Sequence, residues 1–512
     1  MINITQMLER AAEEYGDRIA YADPDKEITY ACLNDRAKRI ATYLANNKGI
    51  EKIKPESALV FYMEKSVDAL TVMFAGMYLS MFYSFIDIRQ TANRAENIIS
   101  VLEPEYIITD EDNIEALRSL NLENRVRENT ILISDLVNRI DSLYMDESLL
   151  NRYSENFYDK MPLYVNFTSG STGVPKGVVV GHASVIEFIE EFTSVFSITD
   201  DDIIANQAPF DFDVSVKDIY SGLLKGAKVA LIPREYFSNP TVLMDYLFDN
   251  KVTTLIWAVS AMCFVSIMNG LEYKTPDSIN KIMFSGELMP VKQLNKWKKY
   301  LPDAMYVNLY GPTEITCNCT YHILDREYEK DEVIPIGIPF GNEKVFLLDD
   351  NDNRITEPDT EGEICVGGSC LALGYYKDSV KTNEVFVQNP LNNRFIEQIY
   401  RTGDLGKYDK NGLLYYTSRK DFQIKHMGQR IELSDIDVSA MSIDGVSRAC
   451  TIYDHKHKKI VLFFTGESDK ETVSAKLKDK LPPFMLPTKT VRIDEFPLNK
   501  NGKIDRGALE KL

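Results

Sequence analysis

The residues best suited to chemistry cluster in Thr168-Ser-Gly-Ser-Thr-Gly-Val-Pro-Lys176-Gly177. Glycines 170, 173 and 177 let the backbone bend closely. The hydroxyls of Thr168, Ser169, Ser171 and Thr172 offer donors to phosphate oxygens, and Lys176 adds positive charge. Apolar runs at 163–167 and 178–180 flank the segment, so it reads as a loop between strands that holds a polyphosphate. It is not the GxxxxGK[ST] loop of P-loop nucleotidases, because four residues do not separate its glycines and no Ser or Thr follows the lysine.

Further motifs stand in order along the chain: Ile28-Thr-Tyr30, Tyr310-Gly-Pro-Thr-Glu314, Gly362-Glu-Ile-Cys-Val-Gly-Gly368, Tyr400-Arg-Thr-Gly-Asp404, Ser418-Arg-Lys-Asp421 and Asn501-Gly-Lys503-Ile-Asp-Arg506. Together with the loop they resemble the adenylate-forming (AMP-binding) superfamily. That group includes acyl-CoA synthetases, luciferases, adenylation domains of nonribosomal peptide synthetases and D-alanine:carrier protein ligases. The resemblance implies ATP-dependent activation of a carboxylate to an acyl-AMP with release of pyrophosphate, then transfer to a thiol. It implies ATP and Mg2+, with Glu314 as metal ligand, and Thr168, Ser169, Gly170, Ser171, Thr172, Gly173 and Lys176 around the phosphates. Tyr310, Gly311 and Thr313 are placed on the nucleotide by the same likeness, Asp404 on the ribose hydroxyls and Arg419 beside it. Lys503 is implied as the catalytic lysine, joined in catalysis by Thr168 and Lys176, and Asp421 as a hinge. Rotation about that hinge removes Lys503 from the site and turns the strand around 423–428 toward it. Three departures from the common pattern are Met427 in place of Arg, Ser418 in place of Gly, and Ser80-Met-Phe-Tyr-Ser-Phe-Ile-Asp87 in place of a Gly-Ala-Tyr-x-Pro-Ile-Asp string.

The acid is addressed by Phe212-Asp213-x-Ser215, which resembles the branch that activates amino acids, where the aspartate pairs with the substrate ammonium. A fatty or aryl acid would leave Asp213 buried without a partner. The alternative is that Asp213 serves as a loop cap. By the same resemblance the pocket includes Phe212, Val214, Lys217, Trp257, Met283, Ser285, Leu309, Cys317 and Asn318. Lys217 pointing inward would suit an acidic side chain such as glutamate. Met283, Leu309 and Cys317, with Trp257 shortening the pocket, would suit a small apolar one such as alanine. The acceptor implied is the phosphopantetheine thiol of a carrier protein, in a nonribosomal peptide synthetase or a stand-alone ligase. The residues 285–297 also look like D-alanine:carrier ligases, and an acyl- or aryl-CoA ligase is the other alternative. No condensation-domain motif or carrier segment is recognisable, so the chain is expected to be freestanding or excised from a larger synthetase.

These residues need a large scaffold. Apolar, β-rich runs at 58–62, 106–109, 130–134, 229–232, 254–257 and 281–284 alternate with helical patterns, which predicts parallel sheets covered by helices. From about residue 334, short Gly-punctuated strands predict an antiparallel subdomain. The fold class is therefore α/β. Residues 1–420 should form two helix-covered, mostly parallel sheets plus the small antiparallel subdomain, and residues 421–512 a small mobile α+β domain. The 512 residues carry a net charge of −19, which disfavours nucleic acid and anionic membranes. Seven cysteines without a CxxC pair and an N-terminus without a signal-peptide pattern predict a reduced, cytoplasmic protein. The uncharged run over 69–86 changes from a helical to a strand pattern, so it reads as buried core rather than a membrane insertion. With no coiled-coil repeat, a monomer is the default.

Overall fold

The uncharged run over 69–86 resolves into the helix Val67–Tyr78, whose N-terminus is capped by Ser66 accepting from the Ala69 amide, and the buried strand Phe82–Phe85. Both are enclosed because the strand lies inside a sheet and the helix packs between layers. The computed structural model describes residues 1–48, 53–168, 175–330, 332–420, 423–454, 456–497, 504 and 506–509. Among these, no helix is long and apolar enough to cross a membrane.

A seven-stranded sheet runs in the order Gly374–Tyr375, Lys176–Gly181, Pro162–Thr168, Phe82–Phe85, Ala58–Tyr62, Tyr106–Thr109, Thr130–Leu132. The pairs from Pro162–Thr168 to Thr130–Leu132 are parallel, and Lys176–Gly181 returns antiparallel. A nine-stranded sheet centres on the parallel strands Met305–Tyr310, Lys281–Ser285, Thr254–Ala258, Ile203–Asn206, Lys228–Leu231 and Ile19–Ala22, with antiparallel strands at both edges. One continuous core joins both sheets, helped by buried phenols: Tyr30 donates to the carbonyls of Gly222 and Ala227, and Tyr21 to that of Ile219. The α/β expectation holds, and the predicted strands appear within a residue or two. The widest difference is at 130–134, where Thr130–Leu132 is strand and Ile133 already begins the helix Ile133–Val137.

The Gly-punctuated region forms an antiparallel sheet around Gly362–Gly368 and Gln398–Tyr408, with Leu414–Arg419 paired to the latter. The C-terminal elements are the hairpin Gln423–His426 and Gln429–Glu432, the helices Leu433–Met441 and Lys470–Lys478, and a three-stranded sheet of Val446–Asp454, Lys459–Gly466 and Lys489–Arg492. They have their own core around Ile431, Ile436, Leu462 and Phe464. Met427 and Gly428 take φ of +52° and +78°, as a tight two-residue hairpin turn requires.

Candidate active site

The parallel strands of the nine-stranded sheet end at one cavity of about 210 Å³, a place where open α/β sheets bind ligands. Thr168, Ala208, Ala258, Ser285 and Thr313 line it from the strand ends. The 423–432 hairpin faces the same cavity with Lys425, Met427, Gly428 and Arg430, and is pinned there by the Gly428 amide donating to Glu287 Oε1 at 2.6 Å.

One end is an acceptor cluster. Asp404 and Arg419 are cross-strand partners, so register alone brings them together, and Arg419 Nη1 donates to Asp404 Oδ1 at 2.5 Å. Tyr310, at the end of Met305–Tyr310, donates to Asp404 Oδ2 at 2.6 Å. Burial and the neighbouring Asp404 push the Tyr310 phenol well up, which keeps it a donor. Gly311 follows where the chain doubles back, and a Cβ there would lie 2.5 Å from the Cα of Asn318. The result is a fixed carboxylate, 2% exposed, whose spare lone pairs suit vicinal hydroxyls.

Behind Arg430, which lines the cavity, lies a charged cluster. Glu314, fully buried in the turn Thr313–Ile315, accepts from Tyr375 Oη at 2.8 Å and from Arg430 Nη1 at 2.9 Å and 2.7 Å. Burial alone would raise its pKa, but the Arg430 guanidinium and the Lys176 ammonium outweigh burial and hold it at about 2. Lys176 lies 5.4 Å from the centroid of the Tyr375 ring and 3.8 Å from Glu432, and burial, then Arg430, lowers its pKa. Thr168 pairs with Lys176 across the base of the loop, and its buried hydroxyl has no hydrogen-bond partner among the described residues. A buried hydroxyl without a partner at a loop mouth is a place for a ligand oxygen. Ser169, Gly170, Ser171, Thr172 and Gly173 lie outside the described residues, as do Asp421 and Lys503.

The other end is the acid pocket. Phe212, Asp213, Val214, Ser285, Cys317 and Asn318 line the cavity. Asp213 sits at the start of the helix Val214–Lys225 but makes no side-chain helix cap. Burial raises its pKa, while a hydrogen bond from Thr313 and the charges of Lys217 and Lys425 oppose that rise. Thr313, expected on a phosphate, is thus placed beside Asp213. Cys317 donates through Sγ to the Asp213 carbonyl, and both Thr316 and Cys317 take positive φ, +56° and +74°. Two such residues in succession are backbone strain concentrated at a site. Lys217 does not reach solvent: it is fully buried, Nζ donates to Asn318 Oδ1 at 2.6 Å, and burial lowers its pKa.

Four of the expected pocket residues do not line the cavity: Lys217, just described, and three others. Trp257 pairs with Phe284 while Ala258 pairs with Ser285, so the alternation of the strand puts Trp257 on the far face. There it is fully buried against Trp297, with Nε1 donating to the Ala205 carbonyl, and Ala258 takes its place at the cavity. Met283 and Leu309 share the Ser285 face but are buried in the core behind the cavity rather than lining it.

Several residues escaped the sequence reading. Arg430 and Glu432 are two, although the neighbouring 423–428 was marked. A third is Lys65, half-buried: its Nζ lies within hydrogen-bond distance of the carbonyls of Asn206, Gln207 and Ala208 and of Asn206 Oδ1, which share its three protons, clamping the strand end that leads into 210–213. Asn206 in turn donates to Asp218 at 2.7 Å. A lone lysine after an apolar strand gives no signal of such a role.

The family pattern described as AMP-binding enzyme matches residues 8–376. Tyrocidine synthase 1 of Brevibacillus parabrevis is 29% identical over 99% of this chain and 45% of its own length. Bacitracin synthase 3 of Bacillus licheniformis is 28% identical over 99% of the chain but 8% of its own length, so the chain spans a fraction of both relatives. Zwittermicin A synthase ZmaJ of Bacillus cereus is 29% identical and 95% covered. In fold, the chain superposes on holo-PA1221, a nonribosomal peptide synthetase protein with adenylation and carrier (PCP) domains, with TM-score 0.82 at 24% identity over 99% of this chain and 84% of that one. It also superposes on the adenylation domain AlmE of Vibrio cholerae, with TM-score 0.83 at 20% identity over 100% and 97% of the two chains.

Proposed function

Because the chain belongs to the AMP-binding enzyme family, we propose that it activates a small, neutral amino acid with ATP and hands the aminoacyl group to the phosphopantetheine thiol of a carrier protein. In the first step a carboxylate oxygen of the amino acid bonds to the α-phosphorus of ATP, the bond to the bridging oxygen breaks, and pyrophosphate leaves. In the second the thiol sulfur bonds to the acyl carbon, its proton is lost to solvent, and AMP leaves. The observation that carries this reading is the meeting of Asp213 and Asp404 around one cavity, with Glu314 buried behind the Arg430 that lines it, each carboxylate with a different set of partners.

Asp404, held by Tyr310 and Arg419, accepts the ribose hydroxyls. Thr168 and Lys176 bind phosphate oxygens and steady the charge that shifts onto them. Among the described residues no three metal ligands gather, yet Mg2+ entering on a polyphosphate needs only one or two protein carboxylates, which Glu314 supplies. When bound, the ion neutralises charge on the departing pyrophosphate. Asp213 pairs with the substrate ammonium, which relieves its burial cost. Residues 421–512 are assigned as the domain that carries Lys503 and turns about Asp421, and the hairpin facing the cavity corresponds to the pose for thiol transfer.

A small neutral side chain is favoured over glutamate because the Lys217 ammonium is already tied to Asn318 and lies within the field of Asp213 and Asp218. A substrate carboxylate would add a further negative charge beside those two. Val214, Ala258, Ser285 and Gly286, which line the cavity beside Asp213, are small. The test is amino-acid-dependent pyrophosphate exchange across the twenty L-amino acids, D-alanine and common aryl acids. Exchange with glycine, serine or either alanine is expected, D-alanine alone pointing to the teichoic-acid type of ligase. Exchange with aryl acids only would overturn the role of Asp213.

A further inference from the structure

Side chains at 164, 166 and 168 leave the strand Pro162–Thr168 on one face. On that face Tyr164 Oη, Asn166 Oδ1 and Thr168 Oγ1 are all buried, and each lacks a hydrogen-bond partner among the described residues. Buried polar atoms are nearly always paired, so three in file on one strand call for a ligand. Asn166 and Thr168 line the cavity, Asn166 being only 4% exposed, and Tyr164 lies deeper, fully buried. The two ends of the file are placed by their neighbours. Thr168 pairs with Lys176 at the phosphate loop, while Cys317 and Asp213 act on the Tyr164 phenol, so the deep end lies beneath the acid pocket. Asn166 stands between them, about 7 Å along the strand from Thr168. Its signal in the sequence is faint, a single amide inside the apolar run over 163–167.

We propose that Asn166 is a substrate-binding residue whose side-chain carbonyl accepts a hydrogen bond from the ammonium of the amino acid, as a second acceptor alongside Asp213. The inference rests on the reading that the substrate is an amino acid and that Asp213 takes its ammonium. The orphan atom of Asn166 is an acceptor, so it calls for a donor. An ionised carboxylate and the phosphates of ATP offer none at neutral pH, whereas an ammonium offers three. Asp213 already accepts from Thr313, and a desolvated ammonium left with unpaired N–H groups is costly. A second acceptor on the cavity wall removes that cost. The spacing agrees with this placement: in an aminoacyl adenylate only an O–C–Cα link separates the amino nitrogen from the phosphorus whose oxygens Thr168 holds.

Pyrophosphate exchange by the full chain carrying Asn166→Leu tests this, because leucine has nearly the same shape without the acceptor. With ATP saturating, KM for the best of glycine, serine and alanine should rise about ten- to a hundredfold, the worth of a hydrogen bond from a charged donor. The turnover number and KM for ATP should hardly change, as for a group that binds the acid alike before and during reaction. No carrier is present in this assay, so the acceptor arm cannot be the source of the effect. Asn166→Asp keeps an oxygen in the same place and should bring KM for the amino acid back near the wild-type value, which a purely structural role would not do. The melting temperature of Asn166→Leu should not fall, since the oxygen bonds to no other described residue. A fall in melting temperature, no rescue by Asn166→Asp, or a rise in KM for ATP alone would overturn the proposal, the last assigning the oxygen to the nucleotide or its loop. Asp213→Asn separates the two layers. If it raises KM for the amino acid while Asn166→Leu does not, the role of Asp213 stands and that of Asn166 fails. If neither raises it, or no amino acid supports exchange, the reading of the acid pocket fails and Asn166 with it.

Discussion

Asp404→Asn keeps the shape of the side chain and removes its charge, so its effect is calculable from contacts. Asp404 accepts from Tyr310 Oη at 2.6 Å and Arg419 Nη1 at 2.5 Å, and the Arg419 side chain is only 9% exposed. An amide must turn its NH2 toward one of these two donors, so one contact becomes repulsive and Arg419 loses its counter-charge. Hydrogen bonds to a charged acceptor are worth about 1.5–3 kcal/mol each. Weakening those to both ribose hydroxyls predicts a loss of about 3 kcal/mol, or roughly a hundredfold in affinity for AMP. Calorimetric titration with AMP measures this without the complication of turnover. A control with 2′-deoxy-AMP sharpens it: wild type should bind the deoxy ligand less well than AMP, and Asp404→Asn should barely distinguish the two. An unchanged Kd for AMP, or a 2′-hydroxyl preference that survives the substitution, would refute the placement of the ribose on Asp404.

Further outcomes follow from other contacts. The Glu314 carboxyl is held at about 2 against an ordinary 4.5, so its pairing stabilises the fold above pH 4.5 and is lost as pH falls toward 2. The size is roughly 3 kcal/mol, and Glu314→Gln should flatten that acid limb in urea titrations run across the window. Glu343 behaves oppositely: burial pushes it to about 7, as it does Asp211 and Asp218, so wild-type stability should decline as pH rises from 4.5 to 7, and Glu343→Gln should make that decline shallower. Trp257→Ala should cost about 3–5 kcal/mol of stability and leave amino-acid preference alone, whereas Ala258→Leu should reduce exchange with the best amino acid at little cost in stability. Lys503→Ala should cut adenylate formation by orders of magnitude while a preformed aminoacyl-AMP is still transferred to the carrier. Equal loss in both half-reactions would contradict the assignment of two poses.

Much of the scaffold was legible because its signals are local. Strand runs such as 58–62 and 281–284 announce themselves by apolar, β-rich composition, and 69–86 by the change of period within it. Asp404 and Glu314 were singled out only by the resemblance of their motifs to the adenylate-forming superfamily, since a lone carboxylate after a glycine turn gives no signal of its own. Trp257 was misplaced because one position in a strand reverses the face, and only the register with Phe284 and Ser285 fixes the parity. Met283 and Leu309 were on the correct face, but how deep a cavity reaches depends on packing from other elements. Arg430 was invisible for a different reason: its partner Glu314 lies 116 residues away, and their meeting depends on where the hairpin docks. Lys65 likewise looks like any surface lysine until three carbonyls close around it.

The central claim is attack of an amino-acid carboxylate on the α-phosphorus, and oxygen labelling tests it most directly. Glycine or alanine carrying heavy oxygen in its carboxylate, incubated with ATP, the enzyme and a phosphopantetheinylated carrier, should yield AMP bearing one heavy oxygen and pyrophosphate bearing none. Unlabelled AMP, or ADP with labelled phosphate, would contradict the account.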